Sequence, residues 1–190
     1  MERISDEILL WRNRCEIAPE TESMCSSFPP VTAPACRVLV LGSMPGVASL
    51  RAQQYYAHPR NAFWPIVYAL WGQAKTDALY KDRLAFALAH HIALWDVAQT
   101  CQRHGSSDAS IRNVQANDFN TLFADSPRIH TILFNGRKAQ EMFEKLALDT
   151  AGGRTRVTLP STSPAHTLPF NDKLAAWRIL REAAEQEIRL

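Results

Sequence analysis

Short unbroken apolar runs alternate along this chain with longer stretches in which apolar residues recur every three or four positions. The runs cover residues 37–41 and 92–96, and further strands are read at 128–134 and 155–159. Continuous apolar strands of this length are those of a parallel sheet covered on both faces. Between them lie predicted helices. Residues 61–71 place Phe63, Ile66, Val67 and Leu70 on one face, with Pro65 in the first turns, where a missing N–H costs least. Residues 77–90 turn Leu79 or Tyr80, Leu84, Ala87 and Leu88 inward. A short helix is expected at 118–124. Residues 137–146 carry Ala139, Met142, Phe143 and Leu146 on one face, and a closing helix over 171–188 carries Leu174, Trp177, Leu180, Ala184 and Ile188. Strands alternating with helices predict a three-layer α/β/α domain around a parallel sheet.

Two regions break the pattern. Residues 1–34 hold a short apolar cluster at Ile8, Leu9, Leu10 and Trp11, then Pro19, Pro29, Pro30 and Pro34. Prolines at that density stop regular elements, so 1–34 is expected to be an extension, packed on the domain or partly disordered, with the domain proper at 35–190. Residues 100–117 show no clear period, and the Gly-Ser-Ser-Asp stretch at 105–108 marks a loop.

Composition narrows the class. A chain of 190 residues with 46% hydrophobic and 21% charged residues is one ordinary globular domain. A formal net charge of +2 neither demands nor forbids a polyanion, since hydroxyls and backbone N–H groups also hold phosphate. The cysteines, at 15, 25, 36 and 101, lack metal-site spacing and read as reduced thiols. The start, Met-Glu-Arg-Ile-Ser-Asp-Glu, is too charged for a secretory signal, and no apolar run approaches membrane-spanning length. A soluble cytoplasmic protein without membrane contact is expected.

Polar density gathers in two loops that follow strands, 42–61 and 160–167. The first opens Gly-Ser-Met-Pro-Gly at 42–46 and runs through Tyr-Tyr-Ala-His-Pro-Arg-Asn-Ala-Phe-Trp at 55–64. Gly42 and Gly46 allow a ligand close to the backbone. Tyr55 and Tyr56 offer stacking faces, although one or both belong equally well to a core. Asn61 can cap a helix or orient a water, capping being the commoner role. His58 alone is an ordinary loop histidine. The second loop, Ser-Thr-Ser-Pro-Ala-His-Thr at 161–167, is equally a simple turn or a phosphate grip. Asp96 and Asn135, at the ends of the second and third strands, open on the same edge, and each also suits a turn. There is no Gly-Lys-Ser/Thr loop, dinucleotide spacing, Gly-x-Ser-x-Gly elbow or paired carboxylates.

These two loops resemble the signature motifs of the uracil-DNA glycosylase superfamily. Gly-Ser-Met-Pro-Gly at 42–46, the Ala-His-Pro-x-Asn-x-Phe-Trp string ending at Trp64 and Leu-Pro-Ser-Thr-Ser-Pro at 159–164 are most similar to the hypoxanthine-DNA (deoxyinosine) glycosylase branch, often called family 6. The resemblance covers about residues 37–188. It implies an α/β/α sandwich with a four-stranded, largely parallel sheet. It also implies a monofunctional glycosylase, monomeric and nucleoid-associated, that removes a deaminated base from DNA and leaves an abasic site, with no metal or cofactor. The preferred base is expected to be hypoxanthine, then uracil or xanthine. Two positions depart from relatives. Met44 stands where other branches place a water-holding Asn or Asp, and Ser161 stands where the classical enzymes have a His.

Carried over residue by residue, the resemblance assigns water positioning to Asn61. It gives base stacking to Tyr56, with Tyr55 second, and leaving-group stabilisation to backbone donors near Ser43 and Met44. Gly42, His58 and Asn135 are implied as further pocket residues. Ser163 becomes the phosphate-gripping serine, beside Ser161. Pro164, Ala165 and His166 form the loop that fills the vacated stack, with His166 supplying bulk that Ala165 lacks. Met44 and Ser161 keep open a damaged-DNA-binding module without catalysis, and a hydrolase of free nucleosides or nucleotides is a third reading.

Overall fold

The computed structural model describes residues 23–104 and 110–186. In chain order the elements are β1 (Ser23–Ser26), β2 (Val38–Gly42), α1 (Val47–Ala52), α2 (Phe63–Leu70), α3 (Tyr80–Ala89), β3 (Ile92–Asp96), β4 (Ala98–Arg103) and β5 (Arg112–Ala116). There follow α4 (Phe119–Asp125), β6 (Thr131–Asn135), α5 (Arg137–Leu146), β7 (Thr155–Leu159), α6 (Phe170–Ala176) and α7 (Arg178–Glu185). A 3₁₀ turn, Leu148–Thr150, precedes β7.

The main sheet has the order β3-β2-β6-β7, and all three of its pairings are parallel. This is the expected four-stranded α/β/α architecture. Every residue of β2 and β3 is buried, which explains their unbroken apolar runs. From β2 the chain moves to one neighbour, β3, and later returns to the other side at β6. Right-handed crossovers in opposite directions put their helices on opposite faces. The reversal leaves a crevice beyond the carboxyl ends of β2 and β6, the usual place for a ligand in such sheets.

A second sheet was not foreseen. Strands β1, β4 and β5 form an antiparallel three-stranded sheet in the order β1-β4-β5. A single residue, Val97, separates the end of β3 from the start of β4, so the chain passes directly from one sheet to the other. Asn117 clamps this junction, its Nδ2 donating to the carbonyls of Asp96 and Ala98 at 2.9 and 3.2 Å. The 100–117 stretch lacks a period because its strands are polar, half-exposed and offset by register shifts. The loop expected at 105–108 lies outside the described residues.

Residues 23–34 are built into the body. Val31 exchanges two main-chain hydrogen bonds with Leu94, each 2.9 Å, and so covers the open edge of β3. Phe28 packs edge-on against Tyr55, and its carbonyl accepts from the Trp95 indole at 3.0 Å. The apolar cluster at 8–11 lies outside the described residues.

The predicted closing helix is two helices broken at Trp177. That indole is fully buried, donates to the Pro160 carbonyl at 2.9 Å and meets Phe63 edge-on. Tertiary packing here overrides a continuous helical period.

Val31→Pro removes one of the two N–H donors on the β3 edge. It is expected to cost about 1–3 kcal/mol, read as a lower urea midpoint. A loosely attached segment would show no change.

Candidate active site

Strand β2 ends at Gly42, whose register partner on β3 is Asp96. A methyl group at Gly42 would fall 2.4 Å from Asp96 Oδ1 and 3.8 Å from Tyr56 Oη. The missing side chain is what lets a carboxylate and a phenol converge over the strand end. From there the chain turns through Ser43 and Met44, whose carbonyl and side chain face different ways. The Ser43 carbonyl accepts from Ala98 N–H at 3.1 Å, tying the loop to the β3–β4 junction. The Met44 side chain is 6% exposed, packed inward beside the pocket. Arg103, fully buried, donates from Nη2 to the Pro45 carbonyl at 2.8 Å and braces the loop from behind.

The pocket over this strand end has a volume of about 170 Å³. Cavities of ~150 Å³ take up one benzene ring, so the space suits a single small ring system. Gly42, Ser43, Met44, Tyr55, Tyr56, His58, Asn61, Asn135, Ser161, Ser163 and Pro164 line it, as do Asp96 and Thr162. Ala165 and His166 do not; both are exposed on the loop outside it.

The two tyrosines differ. Tyr55 is committed to the core. Its N–H donates to Tyr80 Oη at 2.9 Å, and its hydroxyl lies 3.4 and 3.3 Å from the carbonyls of Phe28 and Pro29. Tyr56 has a left-handed backbone with φ 58°, which costs a non-glycine residue about 1–2 kcal/mol. Its ring stacks on Phe63, centroid to centroid at 3.9 Å. Its hydroxyl is buried and makes no hydrogen bond among the described residues. Burial, reinforced by the Asp96 charge, pushes both phenols far above their ordinary range, with Asn135 opposing the shift at Tyr56. Both therefore stay neutral near pH 7.

Asn61 sits where the first loop becomes α2. The helix starts at Phe63, slightly later than expected, and the Phe63 N–H donates to Asn61 Oδ1 at 3.0 Å. That bond fixes the carboxamide. A carbonyl oxygen has two lone pairs, so one acceptor site on Oδ1 is still available for a water. His58 holds the turn before it. Its carbonyl accepts from Asn61 N–H at 2.8 Å, and its Nδ1 accepts from Arg60 N–H at 3.1 Å.

The second loop is fastened through Thr162, which is fully buried. Its N–H donates to Asn135 Oδ1 and its Oγ1 accepts from Asn135 Nδ2, both at 2.8 Å. Its carbonyl accepts from Ala62 N–H at 3.0 Å, joining the two motif loops directly. Gly136, at φ 98°, lets the start of α5 pass Ser161; a methyl there would meet Ser161 Cβ at 3.0 Å. Ser161 Oγ accepts from Ser163 N–H at 3.2 Å and Ser163 Oγ from Ala165 N–H at 3.3 Å.

Sequence reasoning left Thr162 out of the site and gave Asp96 only a strand-end role. Thr162 carried no signal among other hydroxyl residues. Asp96 did: an acid closing an apolar run on the edge that holds both loops is a poor fit to a plain turn. No group of three or more His, Cys, Asp or Glu side chains is placed to hold a metal among the described residues. Cys25, Cys36 and Cys101 are buried free thiols.

A parallel α/β/α sheet with a part-polar, ring-sized pocket at its strand reversal defines a ligand-binding α/β domain. Comparison with known proteins makes this specific. A family model described as the uracil DNA glycosylase superfamily matches residues 29–182, and the chain belongs to that superfamily. A protein named hypoxanthine DNA glycosylase from Methanosarcina barkeri is 35% identical over 150 residues, 79% of this chain and 93% of that relative. One of the same name from Methanosarcina acetivorans is 39% identical over the same shares. A solution NMR structure from Methanosarcina acetivorans, provisionally described as a uracil DNA glycosylase, superposes with a TM-score of 0.75. It is 34% identical and covers 86% of this chain and 100% of that one.

Asn135→Ala strips Thr162 of two hydrogen bonds. Its expected cost is about 1–3 kcal/mol in global stability. Amide exchange at Thr162 and Ser163 should accelerate beyond what that loss alone causes; unchanged exchange there would show that the loop is held by other contacts.

Proposed function

We propose that this protein is a monofunctional DNA glycosylase. It hydrolyses the N-glycosidic bond of a deaminated base, hypoxanthine before uracil or xanthine, and leaves an abasic site for base excision repair. The observation that carries the reading is the meeting of both motif loops around one ring-sized pocket, with Asn61 fixed at its wall. The names of the relatives point the same way.

In this reading the target nucleotide swings out of the duplex at a cost of a few kcal/mol, least at a damaged or mismatched base. The base enters over Gly42 and lies against Tyr56, whose other side rests on Phe63. The neutral phenols and the buried Met44 keep the pocket poor in water, which strengthens every dipole aimed into it. Asn61 Oδ1 accepts a hydrogen bond from a water and directs its oxygen to C1′ of the oxocarbenium-like sugar. Backbone N–H groups at Ser43 and Met44 meet the charge that develops on the departing base. Ser161 and Ser163 hold backbone phosphate through their hydroxyls. Pro164, Ala165 and His166, exposed beyond the pocket, occupy the gap left in the stack. The mechanism draws on no metal or cofactor. DNA is the partner, and a monomer suffices because every group named comes from one chain.

Met44 cannot orient water, so a module that binds lesions without cutting is the competing reading. One assay separates them. Duplexes carrying a single inosine, uracil or xanthine are incubated with the protein and scored for abasic sites. Inosine excision is expected, with Asn61→Ala slower by about 10²-fold or more. Asn61→Asp keeps a capping acceptor and controls for the loss of the helix start. Tight lesion binding with no base release would sink the enzymatic reading. Release of base only from free inosine would move the substrate out of DNA.

A further inference from the structure

Lys173, on α6, is 4% exposed. Its Nζ donates to the His166 carbonyl at 2.7 Å and lies 3.4 Å from the Ser163 carbonyl. Among the described residues no carboxylate lies within ion-pair distance of it. A buried ammonium without a counter-ion is a costly thing for a fold to keep. Desolvation accordingly lowers its pKa, and no neighbouring anion offsets the shift. The group is not part of the pocket wall, so it is no candidate nucleophile there.

What it faces is informative. Two carbonyls of the 163–166 turn accept from Nζ, while the N–H groups of Ser163, Ala165 and His166 are spent within the loop on Ser161 Oγ, Ser163 Oγ and the Ser163 carbonyl. Ser161 Oγ and Ser163 Oγ each already accept one backbone N–H. A hydroxyl that accepts in this way still has its own proton to donate. The loop thus offers two O–H donors to solvent, with one uncompensated positive charge directly behind them.

We propose that Lys173 is the positioning cation of the phosphate grip: its ammonium orients the 163–166 turn, and a DNA backbone phosphate held by Ser161 and Ser163 is its missing counter-ion. The charge acts through the turn rather than by contact. This assignment rests on the DNA reading above and specifies which buried charge the nucleic acid neutralises. It also accounts for a modest net charge of +2 in a DNA-binding protein, since a cation at the back of a loop is worth more than one in open solvent.

The test uses the full chain and an inosine duplex made resistant to hydrolysis by a 2′-fluoro sugar. Affinity is measured by fluorescence anisotropy across a salt series. Lys173→Gln keeps an N–H donor for the carbonyls but drops the charge; Lys173→Met fills the space without burying any polar group. Both should bind roughly three- to tenfold more weakly near 0.1 M salt and shallow the log–log salt slope by about 0.9. Lys173→Arg should keep the wild-type slope. Wild-type slopes in both the Gln and Met variants, whatever their melting temperatures, would overturn the proposal while leaving the glycosylase reading intact. Failure of the wild-type protein to bind the duplex at all would remove both.

Discussion

Everything at the site hangs from the main-chain and side-chain bonds of one buried threonine. Thr162 uses all of its hydrogen-bonding groups: N–H and Oγ1 on Asn135, carbonyl on Ala62. Those partners belong to the end of β6 and to the start of α2. A single residue therefore sets the distance between two loops that lie about a hundred positions apart in sequence. Buried polar groups left without partners are expensive, so this arrangement is close to all-or-none. The pocket is consequently a property of the assembled sheet edge and not of either loop alone.

Much of this was legible from residue order. Strands β2 and β3 were visible because both their faces are buried, and the unbroken runs at 38–42 and 92–96 record that burial, whereas the edge strand β7 is largely exposed. The motif loops announced themselves through glycine, proline and aromatic density. The antiparallel sheet was illegible for the opposite reason. Strand β5 is mostly exposed and β4 mixes buried and exposed residues irregularly, so neither carries the clean alternation that marks a half-buried strand. Proline-rich residues 1–34 read as an extension, packed on the domain or partly disordered, and prolines hide from a sequence reading that irregular backbone can cover a sheet edge, as Val31 does. The helix break at Trp177 has no local sign, because it answers to Phe63 and Pro160, distant in sequence.

The candidate residues divide along the same line. Asn61 and the serines were identifiable from motif resemblance, and the structure sets them around one cavity or its rim. Tyr55 and Tyr56, adjacent and alike in the sequence, take opposite duties because Tyr56 alone adopts the left-handed backbone that turns its ring onto Phe63. Thr162 and Lys173 had no signature at all. Their importance comes from what they touch, and contact between distant positions is the information that one sequence read alone does not carry.

One further consequence follows from where the second loop is anchored. Thr162 and Lys173 pin its two flanks, while Ala165 and His166 stand exposed at its tip. Side chains at the tip are thereby uncoupled from the scaffold: in the glycosylase reading proposed above, exchanging them would alter what meets the DNA without disturbing the frame that holds the loop. Such a division makes the loop tip a separable part, one that substitution can retune without touching the anchoring residues.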